Sequence, residues 1–460
     1  MSSAASASLR VLLALAMPMI LARATQSVMT FADALFVEHL GPQAIAASAT
    51  GGLNAFLVMI LPMGTVFIVQ SFVSQLVGAG DRDATPRYAW YGLAIAIFAG
   101  IAAIAAIPAI DPLLALAEFS PGVRSLMSDY MAIRMFSVGA VVAVEVLGNW
   151  YGGLGNTWMS FVASIISMCV DMFLNWVLIF GKLGAPAMGV DGAALSSTIG
   201  SFVGLAFLLL AFNRRWGMSV NGAPAPARRR PQLSWRELVR VVRFGVPNGL
   251  NWFGDFAAFQ LFINVVFASL GDHTLAALNV VIAINSVAFM PAFGLASAGA
   301  ILAGQAIGSG NKDGVWPVVK LTLAVAAVWM CTIGVTYFFA PHGLLRLFDS
   351  DNASPDFVTV GATMLLISAA WQLFDAIGIT LSETLRAAGD TTWTAVARLV
   401  LAWVIFIPTG YITVKYYNGG PVGAMLCVVG YIALLAVLFA YRFRSGAWRR
   451  IQLVEPKLVE

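Results

Sequence analysis

The sequence predicts an all-α polytopic membrane protein, with twelve transmembrane helices arranged as two parallel six-helix repeats. Three observations carry that prediction. Hydrophobic residues make up 60% of the 460-residue chain and charged residues only 10%, with a mean hydropathy of +0.86; a soluble domain carries about 25% charged residues. The apolar stretches reach the ~20 residues that a spanning helix needs, and they lack the period-two alternation of membrane β-barrel strands; Leu93 to Ile107 is one such run. The chain also repeats itself at an offset of about 230 residues, a duplication that marks membrane transporters, whose sites lie between repeats.

The spans are expected near 9–38, 44–77, 87–110, 126–151, 158–181, 191–213, 244–270, 275–307, 315–340, 356–387, 391–414 and 421–443. Several are longer than a ~30 Å hydrocarbon core requires, so tilts or kinks are expected. Pro18, Pro62, Pro247 and Pro291 are placed to cause them. The repeat is read from matched landmarks. Pro18 to Gly41 returns as Pro247 to Gly271, Gln75–Asp81 as Gln305–Asn311, Gly153–Thr157 as Ala387–Thr391, and Val190–Ala193 as Val422–Ala424. With six spans in each half, both halves start on the same side, so the repeats are parallel rather than inverted. The expected organisation is an N-terminal lobe over 1–213, a linker over 214–243, a C-terminal lobe over 244–443 and a tail over 444–460.

Orientation comes from Lys and Arg. Arg82, Arg87, Arg214, Arg215, Arg228, Arg229, Arg230, Arg236, Arg240 and Arg243 cluster at span ends on one side, joined by Lys312, Arg386, Arg442, Arg444, Arg449 and Arg450. The other side has only Arg124, Arg134, Lys182, Arg346 and Lys415. The basic side is expected to be cytoplasmic, with both termini inside. The linker from Asn213 to Gln232, rich in Pro and Arg, is expected to be extended. Ser234–Glu237 reads as a capping box. It opens either a short amphipathic helix on the inner membrane surface or a simple lead into span seven.

The net charge of +4 and pI near 9.0 are accounted for by these loops and give no argument for nucleic-acid binding. Ala22 to Ala24 mimics a signal-peptidase site, but cleavage there would destroy the first span. Cys169, Cys331 and Cys427 sit singly in apolar spans and are read as packing residues. His39, His273 and His342 fall near span ends, so no histidine is placed for intramembrane catalysis.

Ionisable groups within spans decide the mechanism, because an acid at mid-span costs ~2.5–3.5 kcal/mol on insertion scales. Asp33, Asp171, Asp255, Asp375 and, less centrally, Glu145 qualify, with Glu383 nearer a span end. Arg23 and Arg398 are the few nearby bases, so some carboxylates are expected to hold a proton or another cation. Helical spacing aligns each acid with polar neighbours. The stripes are Gln26, Thr30 and Asp33; Ser164, Ser167, Asp171 and Asn175; Asn248, Asn251 and Asp255; and Ser368, Gln372, Asp375 and Ser382. Two stripes fall in each half, which gives one acidic cluster per lobe. Helix-to-helix hydrogen bonding is the competing reading for the neutral members.

Three stretches resemble the multidrug and toxic compound extrusion (MATE) family: Thr30–Gly41 around a single Asp, Gln75–Asp81 with Leu154–Thr157, and Leu385–Thr391 in the second half. The resemblance implies two six-helix bundles around a central cavity that opens alternately to each side. It implies cation coupling at Asp33, Asp171, Asn175 and Thr198 in the first lobe, with the Asp and Asn exchanged along the helix. It implies the same for Asp255 and Asp375 in the second lobe, as in the NorM-type branch. Gln26, Thr30, Asn251 and Gln372 are substrate-cavity candidates.

The expected function is therefore a Na⁺- or H⁺-coupled antiporter that exports bulky, often cationic, organic compounds. Na⁺ is expected at Asp33, Asp171 and Asn175 or at Asp255 and Asp375, where carboxylate and amide oxygens suit a hard cation. No other cofactor, no catalytic residue and no nucleic-acid partner is expected, and a monomer in a bacterial inner membrane is. A lipid-linked oligosaccharide flippase is the nearest rival, disfavoured by acidic rather than basic buried charge. An intramembrane enzyme and a non-transporting sensor are more remote.

Overall fold

Twelve helices are long and apolar enough to cross a membrane in the computed structural model, which describes residues 8–116, 119–220, 222–227, 232–346 and 355–454. They are α1 (Leu9–Glu38), α2 (Pro42–Gly78), α3 (Arg82–Ala105), α4 (Pro121–Leu154), α5 (Trp158–Phe180), α6 (Gly189–Arg214), α7 (Trp235–Leu270), α8 (His273–Gly308), α9 (Lys312–Phe339), α10 (Phe357–Ala387), α11 (Thr391–Lys415) and α12 (Gly420–Arg444). The all-α, twelve-span architecture read from composition and run length is the one observed. Two short helices, Ile110–Leu114 and Pro341–Arg346, join spans and have no counterpart in the expected list.

The duplication shows in the backbone of the turns. Gly41 and Gly271 have φ of 93° and 97°, Gly80 and Gly310 of 77° and 79°, and Gly155 and Gly389 of 91° and 87°. Each pair occupies matched positions of the two halves, at turns where a residue with a Cβ would be strained.

Contacts divide the chain into two compact units at places other than the sequence boundaries. One unit is Leu21–Gly249; the other joins Met1–Ile20 to Leu250–Glu460. The divisions fall inside α1 and α7, in each case after the second residue past the helix proline, Pro18 or Pro247. A proline within a helix removes a hydrogen bond and clashes with the preceding turn, so each helix is free to change direction there. The start of α1 accordingly packs with the second unit, where Leu12, Leu15 and Ala16 are buried in one core with Leu295, Ala298 and Ile301 of α8.

The linker departs from its extended expectation. In the Leu21–Gly249 unit, Asn156 Nδ2 donates to Gly217 O at 2.8 Å, Arg82 Nη2 to Met218 O at 3.0 Å, and Ala227 N to Asp83 Oδ1 at 2.6 Å. The segment after α6 thus straps the α2–α3 and α4–α5 turns, with Met218 buried beneath it. Arg228, Arg229 and Arg230 lie outside the described residues. The tail repeats the device: Lys312 Nζ donates to Arg449 O at 2.5 Å, Arg449 pairs with Asp313 at 2.8 Å, and buried Leu453 lies against Gly389. Among the described residues no separate surface helix precedes span seven, because α7 runs unbroken from Trp235. The capping box does not form either. Ser234 N donates to the Tyr91 hydroxyl at 2.7 Å, while Glu237 takes Tyr91 and Arg87 at 2.8 and 3.0 Å.

Small residues set the helix spacing that places the acids, as in other membrane bundles. A Cβ on Gly200 or Gly204 of α6 would meet Ser167 O at 3.0 Å or Ser167 Oγ at 2.2 Å on α5. A Cβ on Gly254 of α7 would meet Leu399 Cδ2 at 2.0 Å on α11.

Candidate functional site

The close approach of α5 to α6 buries Asp171 and Asn175 completely. They lie four residues apart on one face of α5, so Asn175 Nδ2 reaches Asp171 Oδ2 at 3.2 Å and, across to α1, Asp33 Oδ1 at 2.6 Å. One amide thus holds two carboxylates together, and the carboxyls themselves approach within hydrogen-bonding reach of each other. Two buried oxygens, Asp171 Oδ1 and Asn175 Oδ1, have no hydrogen-bond partner. Buried acceptors that lack a donor are costly, and a proton or a metal ion bound at this pair would relieve that cost. The donor set is all oxygen, which fits a hard cation such as Na⁺. Arg134 of α4 is close enough for its charge to act on both carboxylates, and its Nη1 is buried without a hydrogen-bond partner. Two carboxylates against one guanidinium leave room for one monovalent cation.

The second unit holds its acids differently. Asp255 Oδ2 accepts from Arg398 Nη1 at 2.9 Å, and Asp255 Oδ1 accepts from the Tyr431 hydroxyl. Gly254 allows this, because Leu399 packs over the space a side chain would fill and Trp403 Nε1 donates to Gly254 O at 3.1 Å. The Arg398 guanidinium also lies 5.5 Å from the centre of the Phe439 ring. Tyr431 stacks on Phe406 at 4.8 Å, and Phe406 meets Phe262 at 4.2 Å. Asp375 of α10 acts on Arg398 electrostatically. With both oxygens of Asp255 already bonded, this set does not fit a metal ion as it stands. Among the described residues no group of three or more His, Cys, Asp or Glu is arranged to hold a metal.

The MatE family model matches residues 18–177 and 256–412, which is well over half of the chain and covers both units. The chain belongs to the MatE family. It is a membrane transporter and not an enzyme, as that family is. This MatE protein is 26% identical over 440 residues to a probable multidrug resistance protein NorM of Thermotoga maritima, covering 95% of this chain and 93% of the relative. It is 26% identical to the multidrug resistance protein NorM of Burkholderia vietnamiensis, covering 93% and 92%. Its fold superposes on a MOP superfamily transporter from Pyrococcus furiosus with a TM-score of 0.86 at 19% identity, covering 96% and 97%.

The structure of this MatE protein brings Asp33, Asp171 and Asn175 together but not Thr198. The Thr198 hydroxyl donates to Ile133 O at 3.4 Å, and its neighbour Ser197 is the residue within reach of Asp171. Among the cavity candidates, Gln26 and Thr30 are exposed, with the Thr30 hydroxyl turned back onto Gln26 O at 3.1 Å. Asn251 and Gln372 are buried. Gln372 Nε2 donates to Asn285 Oδ1 at 2.8 Å and Asn285 Nδ2 to Ser368 Oγ at 3.2 Å, so much of that stripe joins α10 to α8. Asn248 likewise donates to Gly64 O at 2.6 Å. Glu145 is partnered by Asn149 at 3.1 Å and Arg23 at 3.6 Å. Glu383 is bonded to Arg386 at 2.6 and 3.1 Å in a buried pair. Sequence reading missed Arg134 as a site residue by counting it with the span ends, although it lies well inside α4. It also missed Tyr431 and Asn285. The signal for Arg134 was present, since a base between apolar helical stretches carries the same insertion cost as an acid.

Proposed function

We propose that this transporter is a cation-coupled antiporter that exports bulky organic, often cationic, compounds by alternating access, with Asp33, Asp171 and Asn175 taking up the coupling H⁺ or Na⁺. The observation that supports this most is the half-buried Asp33 joined to the fully buried Asp171 by one Asn175 amide, with one oxygen of Asp171 and the Asn175 oxygen unpartnered. A ligand shifts a conformational equilibrium only by its differential affinity for the two states. A carboxylate pair that changes charge on loading supplies such a difference, because a loaded, neutral site attracts an organic cation less. The full-length similarity to NorM proteins supports an organic drug as substrate. The buried acids also weigh against a flippase for pyrophosphate-linked lipids, which would need basic groups. The basic ends of the spans support an inner-membrane placement with both termini in the cytoplasm.

The test is accumulation of ethidium in inside-out vesicles from cells that express the protein, under an imposed pH or Na⁺ gradient. Gradient-dependent ethidium movement above that of vesicles without the protein supports the antiporter. A protein that moves no ethidium or related dye under either gradient contradicts it.

A further inference from the structure

In the second unit, Arg398 and Tyr431 both bond Asp255, and Asp375 acts electrostatically on Arg398 and Asp255. Arg398 reaches Asp255 at 2.9 Å and lies over the Phe439 ring, and the Tyr431 hydroxyl takes the other Asp255 oxygen. A guanidinium never gives up its charge in a protein, so this cation is permanent and covalently tethered. We infer that Arg398 occupies the position a coupling ion would take at Asp255, and so confines free-cation uptake to the Asp33–Asp171 site of the other unit. This inference rests on the coupling role proposed above only for its consequence. The occupation of the Asp255 site by Arg398 is tested on its own.

Three features support the assignment. The ion pair is set by packing as well as by charge, since the missing side chain of Gly254 admits Leu399, the residue next to Arg398. Trp403 Nε1, one turn further along α11, also bonds Gly254 O. The α11 backbone widens into a π turn over Leu401–Phe406 just after Arg398, ahead of Pro408, a local distortion of the kind that recurs at functional sites. Arg398 is therefore a specificity-determining residue. With it, the cluster carries one net negative charge. Without it, the Asp255 carboxylate and the Tyr431 oxygen would lose their neutralising charge, with Asp375 adding to the negative field, an oxygen donor set that suits a hard monovalent cation.

The experiment measures binding of radiolabelled Na⁺ to the purified full-length protein in detergent, with K⁺ competition as the control. The background is Asp33→Asn with Asp171→Asn, which removes the first unit's carboxylates. In that background no saturable Na⁺ binding is expected. Adding Arg398→Met creates saturable binding, adding Arg398→Lys does not, and a further Asp255→Asn abolishes what Arg398→Met created. Arg398→Gln is the second variant if Arg398→Met is not monodisperse. Na⁺ binding in the background protein that is lost with Asp375→Asn would overturn the inference, as would a folded Arg398→Met or Arg398→Gln protein that binds no Na⁺. Failure of gradient-driven transport in the unmodified protein would leave these arms unchanged, so the two readings fail separately.

Discussion

Replacing Asn175 by Ala removes the one donor shared by Asp33 and Asp171. The two bonds lost measure 2.6 and 3.2 Å, and both Asn175 and Asp171 are fully buried. A hydrogen bond to a charged group contributes about 1.5–3 kcal/mol. The shorter bond belongs near the top of that range and the longer near the bottom. With both carboxylates ionised, the variant should therefore lose about 4 kcal/mol. The donor favours the charged carboxylates, so the loss should shrink once a proton or a metal ion loads them. The assay is equilibrium unfolding in mixed micelles, compared between alkaline Na⁺-free buffer and either mildly acidic or Na⁺-containing buffer. The expected result is a large loss in the first condition and substantial recovery in one of the others. A loss below about 1 kcal/mol, or a loss equal under all conditions, would refute the idea that Asn175 holds an ionised pair.

Further expectations concern the frame around the sites. Gly254→Ala would drive a Cβ to within 2.0 Å of Leu399 Cδ2; overpacking of this kind costs about 1–3 kcal/mol, and the variant should be less stable in the same unfolding assay. Glu383→Ala removes the carboxylate that the buried Arg386 bonds at 2.6 and 3.1 Å. Breaking a buried pair costs about 3–5 kcal/mol, so the variant should be poorly folded in size-exclusion chromatography, whereas an exposed pair such as Arg449–Asp313 should tolerate Asp313→Ala. Truncation after Gly446 removes Trp448 and Leu453, both buried, and should raise proteolytic cleavage near the Gly389 turn relative to the full chain.

The fold was legible because hydropathy, run length and duplication are properties of whole segments. Twelve spans and the matched turns follow from them without any knowledge of packing. Asp33, Asp171 and Asn175 were legible as members of two polar stripes because helical spacing places each with polar neighbours on one face. Their partners were not, because partnership depends on which helix lies opposite. Asp255 and Arg398 are 143 residues apart and meet only through the space at Gly254. Thr198 and Ser197 differ by about 100° around α6, as any successive helical residues do, and only the packing of α5 on α6 decides which faces Asp171. The strap after α6 was unreadable for another reason. Its Pro- and Arg-rich composition describes a solvated linker, while its anchoring comes from backbone groups, Gly217 O, Met218 O and Ala227 N, that composition does not describe.

The most direct test of the account is ethidium efflux from proteoliposomes under an imposed Na⁺ or pH gradient, with wild type compared with Asp33→Asn. Asn at this position can still accept from Asn175 but cannot carry the charge that loading removes. The account expects wild-type efflux to follow one of the two gradients and the variant to lose that dependence while remaining folded. Gradient-driven efflux that survives Asp33→Asn unchanged would contradict it.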